Sequence, residues 1–106
     1  MAFEITDTNF QEDVIDKGGV AVMDFWAAWC GPCRLISPII DKLSESYGDR
    51  ALIGKVDVDN NPEVAMKYGV RSIPTIVILK DGKEVKRHVG VTTQANLAKL
   101  IDEQLN

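Results

Sequence analysis

The chain has few of the residues that hold metal ions or build disulfide scaffolds. It contains two cysteines and one histidine among 106 residues. A structural zinc site needs four ligands, so zinc binding would require ligands from a second chain. Two cysteines also fall short of a disulfide framework. We therefore expect no metal and no cofactor beyond the cysteine pair. Because 45% of the residues are hydrophobic, residues 1–106 are expected to form a single domain with its own core.

The sequence also lacks an excess of positive charge, a long apolar run and a signal peptide, and each of these absences excludes a class of partner or location. The chain has no excess of positive charge, and its net charge of −4 argues against binding to nucleic acid or an anionic membrane. No apolar run approaches the roughly 20 residues of a membrane span. The segment Met1–Glu4 lacks the basic and then apolar stretches of a signal peptide. We expect a cytoplasmic monomer, or a protein of an organelle matrix if a transit segment has been removed.

Apolar periodicity and turn residues predict the element order β-α-β-α-β-α-β-β-α. Early alternation of strands and helices indicates parallel strands with crossover helices, and Asp81-Gly82 predicts a hairpin that adds an antiparallel pair. This is an α/β fold with helices on both faces of the sheet. The predicted strands are Ala2–Ile5, Val20–Trp26, Ala51–Val58, Thr75–Leu79 and Glu84–Val89. The predicted helices cover Asp7–Lys17, a segment from Pro32 to Tyr47, a segment from Pro62 that Gly69 ends, and a segment from Thr93 onward.

The two cysteines lie at a predicted strand-to-helix junction, as Cys30-Gly31-Pro32-Cys33. The free N–H groups and positive dipole end of a helix N-terminus stabilise a thiolate. Cys30 precedes the helix, so we expect it to be the more exposed thiol, with the lower pKa, and to act as the nucleophile. Cys33, in the first turn, would then resolve the mixed disulfide. Gly31 allows close approach to Cys30, and Pro32 stiffens the turn, so both would tune the redox chemistry. A buried structural pair is the alternative.

Asp24 is a lone carboxylate in an otherwise apolar strand. Burial would raise its pKa and would cost free energy. Because perturbed carboxylates cluster at functional sites, we expect Asp24 to take the proton from Cys33. The alternative is a structural ion pair with Lys55 on the next strand, and Lys55 would then also modulate the redox site.

Four residues are candidates for contact with a substrate. Trp29 adjoins Cys30 and is expected to be partly exposed. Ile73 and Pro74 precede the fourth strand, and a cis bond between them would present the Ile73 backbone to an extended substrate. The sequence leaves that isomer open. Gly90 ends the fifth strand and either allows close approach of a partner or is an ordinary turn residue.

Several separated motifs occur together in this chain and resemble the thioredoxin family along nearly its whole length. They are Asp-Phe-Trp-Ala-Ala-Trp-Cys-Gly-Pro-Cys-Arg at 24–34, Pro38, Lys-Val-Asp-Val-Asp at 55–59, Tyr-Gly-Val-Arg-Ser-Ile-Pro-Thr at 68–75 and Val89-Gly90. The resemblance implies a five-stranded mixed sheet in the order 1-3-2-4-5 with four helices. It also implies a general protein-disulfide reductase, recharged by a thioredoxin reductase that uses NADPH or ferredoxin.

The resemblance also implies roles for the candidate residues. Cys30 would attack target disulfides, Cys33 would resolve, and Asp24 would assist Cys33. Pro74 would be cis and face the disulfide. A flat apolar contact surface would comprise Trp29, Gly31, Pro32, Ile73, Pro74 and Gly90.

Three other functions remain open at this stage. An oxidase or isomerase would usually carry a histidine between the cysteines, where this chain has Gly31-Pro32. A glutaredoxin would need a glutathione site, which the sequence does not offer. A scaffold or binding subunit would use the same fold without redox turnover.

Overall fold

A mixed sheet of five strands in the order β1-β3-β2-β4-β5 organises the computed structural model, which describes residues 1–106. The strands are β1 (Phe3–Glu4), β2 (Val20–Trp26), β3 (Leu52–Asp57), β4 (Thr75–Lys80) and β5 (Lys83–Val89). The α/β fold class is the one that the sequence pattern predicts, and the strand order is the one that the family resemblance implies. β1 is shorter than predicted because only Phe3 and Glu4 align with β3.

The sheet contains both parallel and antiparallel strand pairs. β1 and β2 both run parallel to β3, and each of the connections β1–β2 and β2–β3 contains a helix. β4 also follows a helix, Pro62–Lys67, but runs in the opposite direction to these three strands. β4 is antiparallel to both β2 and β5. Asp81 and Gly82 join β4 to β5 and both have positive φ, at 50° and 82°. That conformation suits the tight hairpin turn, because its twist matches that of the flanking strands.

Four helices flank the sheet, as predicted. The first, Phe10–Asp16, has π-type hydrogen bonding and is shorter than the predicted segment. The others are α1 (Cys33–Tyr47), α2 (Pro62–Lys67) and α3 (Gln94–Leu105), and a single 3₁₀ turn, Gly48–Arg50, follows α1. None of the helices is both long and apolar enough to cross a membrane.

The helices bury both faces of the sheet, and alternate residues of β2 point to opposite sides. One core lies under α1 and α3 and includes Val20, Val22, Ile36, Ile40, Leu43, Ile53, Ile76, Leu97 and Ile101. The other lies under the first helix and α2 and includes Ile5, Phe10, Val14, Ala21, Met23, Phe25, Val56 and Val64. Val20 to Phe25 are all buried, so β2 is the central, doubly covered strand that its apolar sequence predicts. Asp24 shares the parity of Val20 and Val22 and therefore faces α1.

Gly54 lies where β1 and β3 pack too closely to leave room for a side chain. A Cβ atom at this position would lie 2.7 Å from Cδ1 of Ile5 and 2.8 Å from the backbone oxygen of Phe3. We expect Gly54→Ala to destabilise the protein by roughly 1–3 kcal/mol, the usual cost of overpacking a core. Urea unfolding would measure the change. Gly31→Ala is the matched control, because a Cβ there meets nothing within 4 Å, and its stability should stay near that of the parent. Equal stability of the two variants would contradict this account of the packing.

Candidate functional site

The two cysteines lie where β2 gives way to α1 and are joined by a disulfide. Cys33 is the first residue of α1, and Cys30 lies one turn earlier with a Cα–Cα distance of 5.4 Å. The backbone N–H of Cys33 donates a hydrogen bond of 3.3 Å to Sγ of Cys30. This donor at a helix N-terminus would stabilise negative charge on Cys30 once the disulfide is reduced.

The expectation that Cys30 is the more exposed cysteine is wrong for the disulfide form. Both residues are 4% exposed, and Trp26, Val58 and Ile73 pack around the pair. The bond draws the two sulfurs together, so exposure does not separate them. The two sulfurs differ in their contacts, because Sγ of Cys30 accepts the hydrogen bond from the helix N–H and lies 3.8 Å from the carbonyl oxygen of Ile73.

The loop before β4 lies directly against the disulfide. The Ile73–Pro74 peptide bond is cis, the isomer that the family resemblance implied. The N–H of Gly90 donates a 2.8 Å hydrogen bond to the carbonyl of Pro74, which ties the end of β5 to this loop. Gly90 has φ of +95°, a conformation that side chains disfavour, which accounts for a glycine at this position.

Trp29 is 69% exposed beside the disulfide, in agreement with the sequence expectation. Its indole Nε1–H donates to Oδ2 of Asp59 at 2.9 Å, which fixes the orientation of the ring. Val89 and Val91, on either side of Gly90, are also exposed apolar residues. The sequence analysis missed the role of Asp59, because no local pattern relates it to Trp29 across 30 positions.

Asp24 is buried, with 1% of its surface exposed, and neither carboxylate oxygen has a hydrogen-bond partner. Desolvation raises the pKa of Asp24 from its ordinary 3.8 to about 7. The positive charge of Lys55 opposes this rise, and the negative charge of Asp41 reinforces it. The structure therefore bears out the predicted burial of a lone carboxylate.

The direct Asp24–Lys55 ion pair offered as the structural alternative is absent. Lys55 stands opposite Asp24 in the β2–β3 register, yet its Nζ donates to Oγ of Ser37 at 2.6 Å and pairs with Oδ1 of Asp41 at 3.0 Å. Both acceptors belong to α1 and lie nearer to solvent, where an ion pair loses less hydration free energy than at a buried site. The sequence analysis missed Ser37 and Asp41. Their spacing of four and eight residues after Cys33 places all three on one face of α1 and is the signal that would have found them.

A disulfide at a helix N-terminus against a cis-proline loop, with a buried carboxylate on the strand that leads to it, is the arrangement of a thiol–disulfide oxidoreductase. No group of three or more His, Cys, Asp or Glu side chains lies close enough to hold a metal ion.

Comparison with known proteins agrees with this class. The family model described as Thioredoxin matches residues 1–103. A thioredoxin of Chlorobaculum thiosulfatiphilum is 47% identical over 103 residues, which cover 97% of this chain and 95% of the relative. Thioredoxin 2 of Chlorobaculum tepidum is 48% identical, with 97% and 94% covered. Thioredoxin 1 of Synechococcus elongatus is 42% identical, with 99% and 98% covered. The chain belongs to the thioredoxin family, and it is a protein-disulfide reductase with Cys30–Cys33 as its redox-active pair.

The raised pKa of Asp24 predicts a stability that depends on pH. The folded protein holds the Asp24 proton more tightly than the unfolded chain does, so this group lowers the stability as pH rises from about 4 to about 7. We expect Asp24→Asn to stabilise the protein, and to do so by roughly 2–3 kcal/mol more at pH 8 than at pH 5. Urea unfolding at both pH values measures the difference. The exposed carboxylate variant Asp49→Asn is the control, and a pH-independent effect of Asp24→Asn would contradict the prediction.

Proposed function

We propose that Cys30 is the nucleophile and Cys33 the resolving thiol of this reductase. The observation that carries the proposal is the hydrogen bond from the Cys33 N–H to Sγ of Cys30 at the start of α1. In the first step the Cys30 thiolate attacks one sulfur of a target disulfide. A bond forms between Cys30 and the target, the target disulfide breaks, and its other sulfur leaves as a thiolate.

In the second step Cys33 releases the target. The Cys33 thiol passes its proton to the Asp24 carboxylate, and the resulting thiolate attacks Sγ of Cys30. The bond between Cys30 and the target breaks, and the second target thiolate leaves. Two electrons have then moved from the cysteine pair to the target, and the Cys30–Cys33 disulfide has formed. A pKa of about 7 suits Asp24 to this task, because a base works best when its pKa lies near the operating pH.

The target is proposed to dock in an extended conformation beside the disulfide. Neither the N–H nor the C=O of Ile73 takes part in a backbone hydrogen bond within the fold, so both are free to pair with a target strand. The exposed ring of Trp29 supplies an apolar contact next to Cys30. Gly31 and Gly90 have open space where a Cβ would lie, which lets a target backbone come close. Pro32 completes this surface at the N-cap of α1.

The oxidised protein is proposed to be reduced by a thioredoxin reductase that takes electrons from NADPH or ferredoxin. Gly31-Pro32 between the cysteines supports the reducing direction over an oxidase, and Lys55 adjusts the site through its effect on Asp24. The proposed form is a monomer. The proposed compartment is the cytoplasm, where a protein disulfide is normally kept reduced.

Exchange of each cysteine for serine tests the two roles. Cys30→Ser should abolish reduction of a model protein disulfide such as insulin, because no nucleophile remains. Cys33→Ser should form the mixed disulfide and fail to release it. Mass spectrometry of the trapped adduct would identify the attached residue. A trapped adduct on Cys33 in the Cys30→Ser variant, with no adduct formed by Cys33→Ser, would reverse the assignment. Full activity of the variant lacking both cysteines would favour the scaffold function.

Asp24→Asn tests the proton acceptor. The second step should slow by about tenfold or more at pH 7, in line with the loss of a general base. The first step should be nearly unchanged, since Asp24 has no part in it. Rapid-mixing measurements on Asp24→Asn give the second step, and the same substitution combined with Cys33→Ser isolates the first. Equal slowing of both steps would point to a general structural effect.

A further inference from the structure

Three polar side chains meet on the face of the sheet covered by α1, next to the buried Asp24. Lys55 comes from β3, and Ser37 and Asp41 come from α1. They line a cleft of about 410 Å³ together with Trp26, Asp57 and the N-terminal residues Met1 to Glu4. A smaller adjoining cleft of about 130 Å³ shares Trp26 and Ser37 with the first and also includes Cys33. The two clefts together extend along α1 from Cys33 to Asp41. The part beside Cys33 is mainly apolar, and the part beside Asp41 contains the three polar side chains.

The position of the Lys55 ammonium group is set by α1. Lys55 is the register partner of Asp24 across the β2–β3 ladder, and directly opposite side chains on one face of a sheet are close enough to interact. Its Nζ nevertheless bonds to Ser37 and Asp41, while both oxygens of Asp24 stay without a partner. The two α1 side chains thus compete with Asp24 for the same cation.

Asp41 is itself held in place by the N-terminal segment. Its Oδ1, the atom that pairs with Lys55, also accepts a 3.0 Å hydrogen bond from the backbone N–H of Ala2. Only 37% of the Asp41 side chain is exposed, and only 21% of the Lys55 side chain. A partly buried pair that is tied to the backbone is less mobile and less screened than an ordinary surface salt bridge.

We propose that Asp41, together with Ser37, is a positioning residue that holds the Lys55 ammonium in the cleft and so leaves the Asp24 carboxylate unpaired and able to accept the proton of Cys33. The inference rests on the proposed role of Asp24. It assigns to two residues of α1, outside the contact surface, control over the resolving step.

The charges around Asp24 have defined effects. Lys55 lowers the pKa of Asp24, and Asp41 raises it. Around Asp24, β4 places the apolar Ile76 opposite it, β3 contributes Lys55, and α1 contributes the charge of Asp41. The further charged groups of the cleft are Glu4, Asp57 and the amino group of Met1. Release of Lys55 from Asp41 would bring its charge closer to Asp24 and stabilise the carboxylate.

A double-mutant cycle between Asp41 and Lys55 tests the proposal. The readout is the pKa of Asp24, followed by the ¹³C shift of its carboxyl group in the oxidised protein, in which the cysteines do not titrate. Asp41→Asn should lower this pKa by roughly one pH unit. In the Lys55→Gln background the same substitution should produce less than half that shift, because its effect acts through Lys55. An equal shift in both backgrounds, or no shift in either, would overturn the proposal.

Two single variants sharpen the result. Ser37→Ala removes one anchor of the ammonium group without a change of charge, and it should lower the pKa of Asp24 by less than Asp41→Asn does. Glu45→Gln removes an exposed negative charge from the same helix, one turn beyond Asp41, and should leave the pKa of Asp24 unchanged. A shift in Glu45→Gln as large as that in Asp41→Asn would show that net charge alone is responsible, against the proposal.

The rate of the resolving step separates this inference from the proposed function. The pH midpoint of that step in Asp41→Asn should fall by the same amount as the pKa of Asp24. If the pKa falls and the midpoint stays, Asp41 positions Lys55 but Asp24 is not the proton acceptor. If Asp24→Asn slows the step and the cycle shows no coupling, Asp24 keeps its role and the positioning by Asp41 is wrong.

Discussion

Burial of β2 on both faces is the constraint on which the rest of this structure depends. Helices cover both faces of this central strand, so the chain must leave the sheet at the carboxyl end of the strand before it can form its next helix. β2 ends at Trp26, and α1 begins at Cys33 after a short connection. The helix N-terminus, with its free N–H groups, is thereby placed beside the strand end. The same burial removes Asp24 from water two residues before that end, so the position of the dithiol and the burial of its proposed proton acceptor both follow from this strand.

The burial of Asp24 lowers the stability of the folded protein, but it also gives the carboxyl group the raised pKa that the proposed proton acceptor needs. A carboxyl group with no hydrogen-bond partner in an apolar core weakens the fold once it ionises. A direct bond to Lys55 would relieve much of that cost, but it would also stabilise the carboxylate and make it a poorer base. The observed geometry places the cation near Asp24 and engages it elsewhere. The carboxyl group keeps a pKa near neutrality in this way, as the proposed proton acceptor requires, and a positive charge lies close enough to limit the cost of its ionisation.

Much of this arrangement could be predicted from the sequence because it depends on local pattern. The burial of β2 could be predicted from its apolar run, and the burial of Asp24 from its place in that run. The Cys30–Cys33 spacing likewise predicted where the cysteine pair lies at the start of a helix. The prediction that Cys30 is the more exposed cysteine was wrong, because its burial depends on the disulfide and on the packing of Ile73, which are features of the tertiary structure. The alternative in which Lys55 pairs directly with Asp24 was also wrong, because strand register shows which residues are opposite one another and not which acceptor a long side chain selects. The isomer of Ile73–Pro74 has no local signal at all.

The pKa of Asp24 depends on two parts of the structure, the buried core around β2 and the partly open cleft that contains Lys55 and Asp41. The large rise in the pKa of Asp24 comes from burial, which cannot change without repacking β2 against α1. The smaller opposing effects come from Lys55 and Asp41, which lie in a partly open cleft where substitutions disturb little packing. The fold therefore sets most of the shift in the pKa of Asp24, and partly buried residues of the cleft adjust it further. Because Oδ1 of Asp41 also accepts a hydrogen bond from the N–H of Ala2, just before β1, we expect the position of the N-terminal segment to influence the pKa of Asp24 as well.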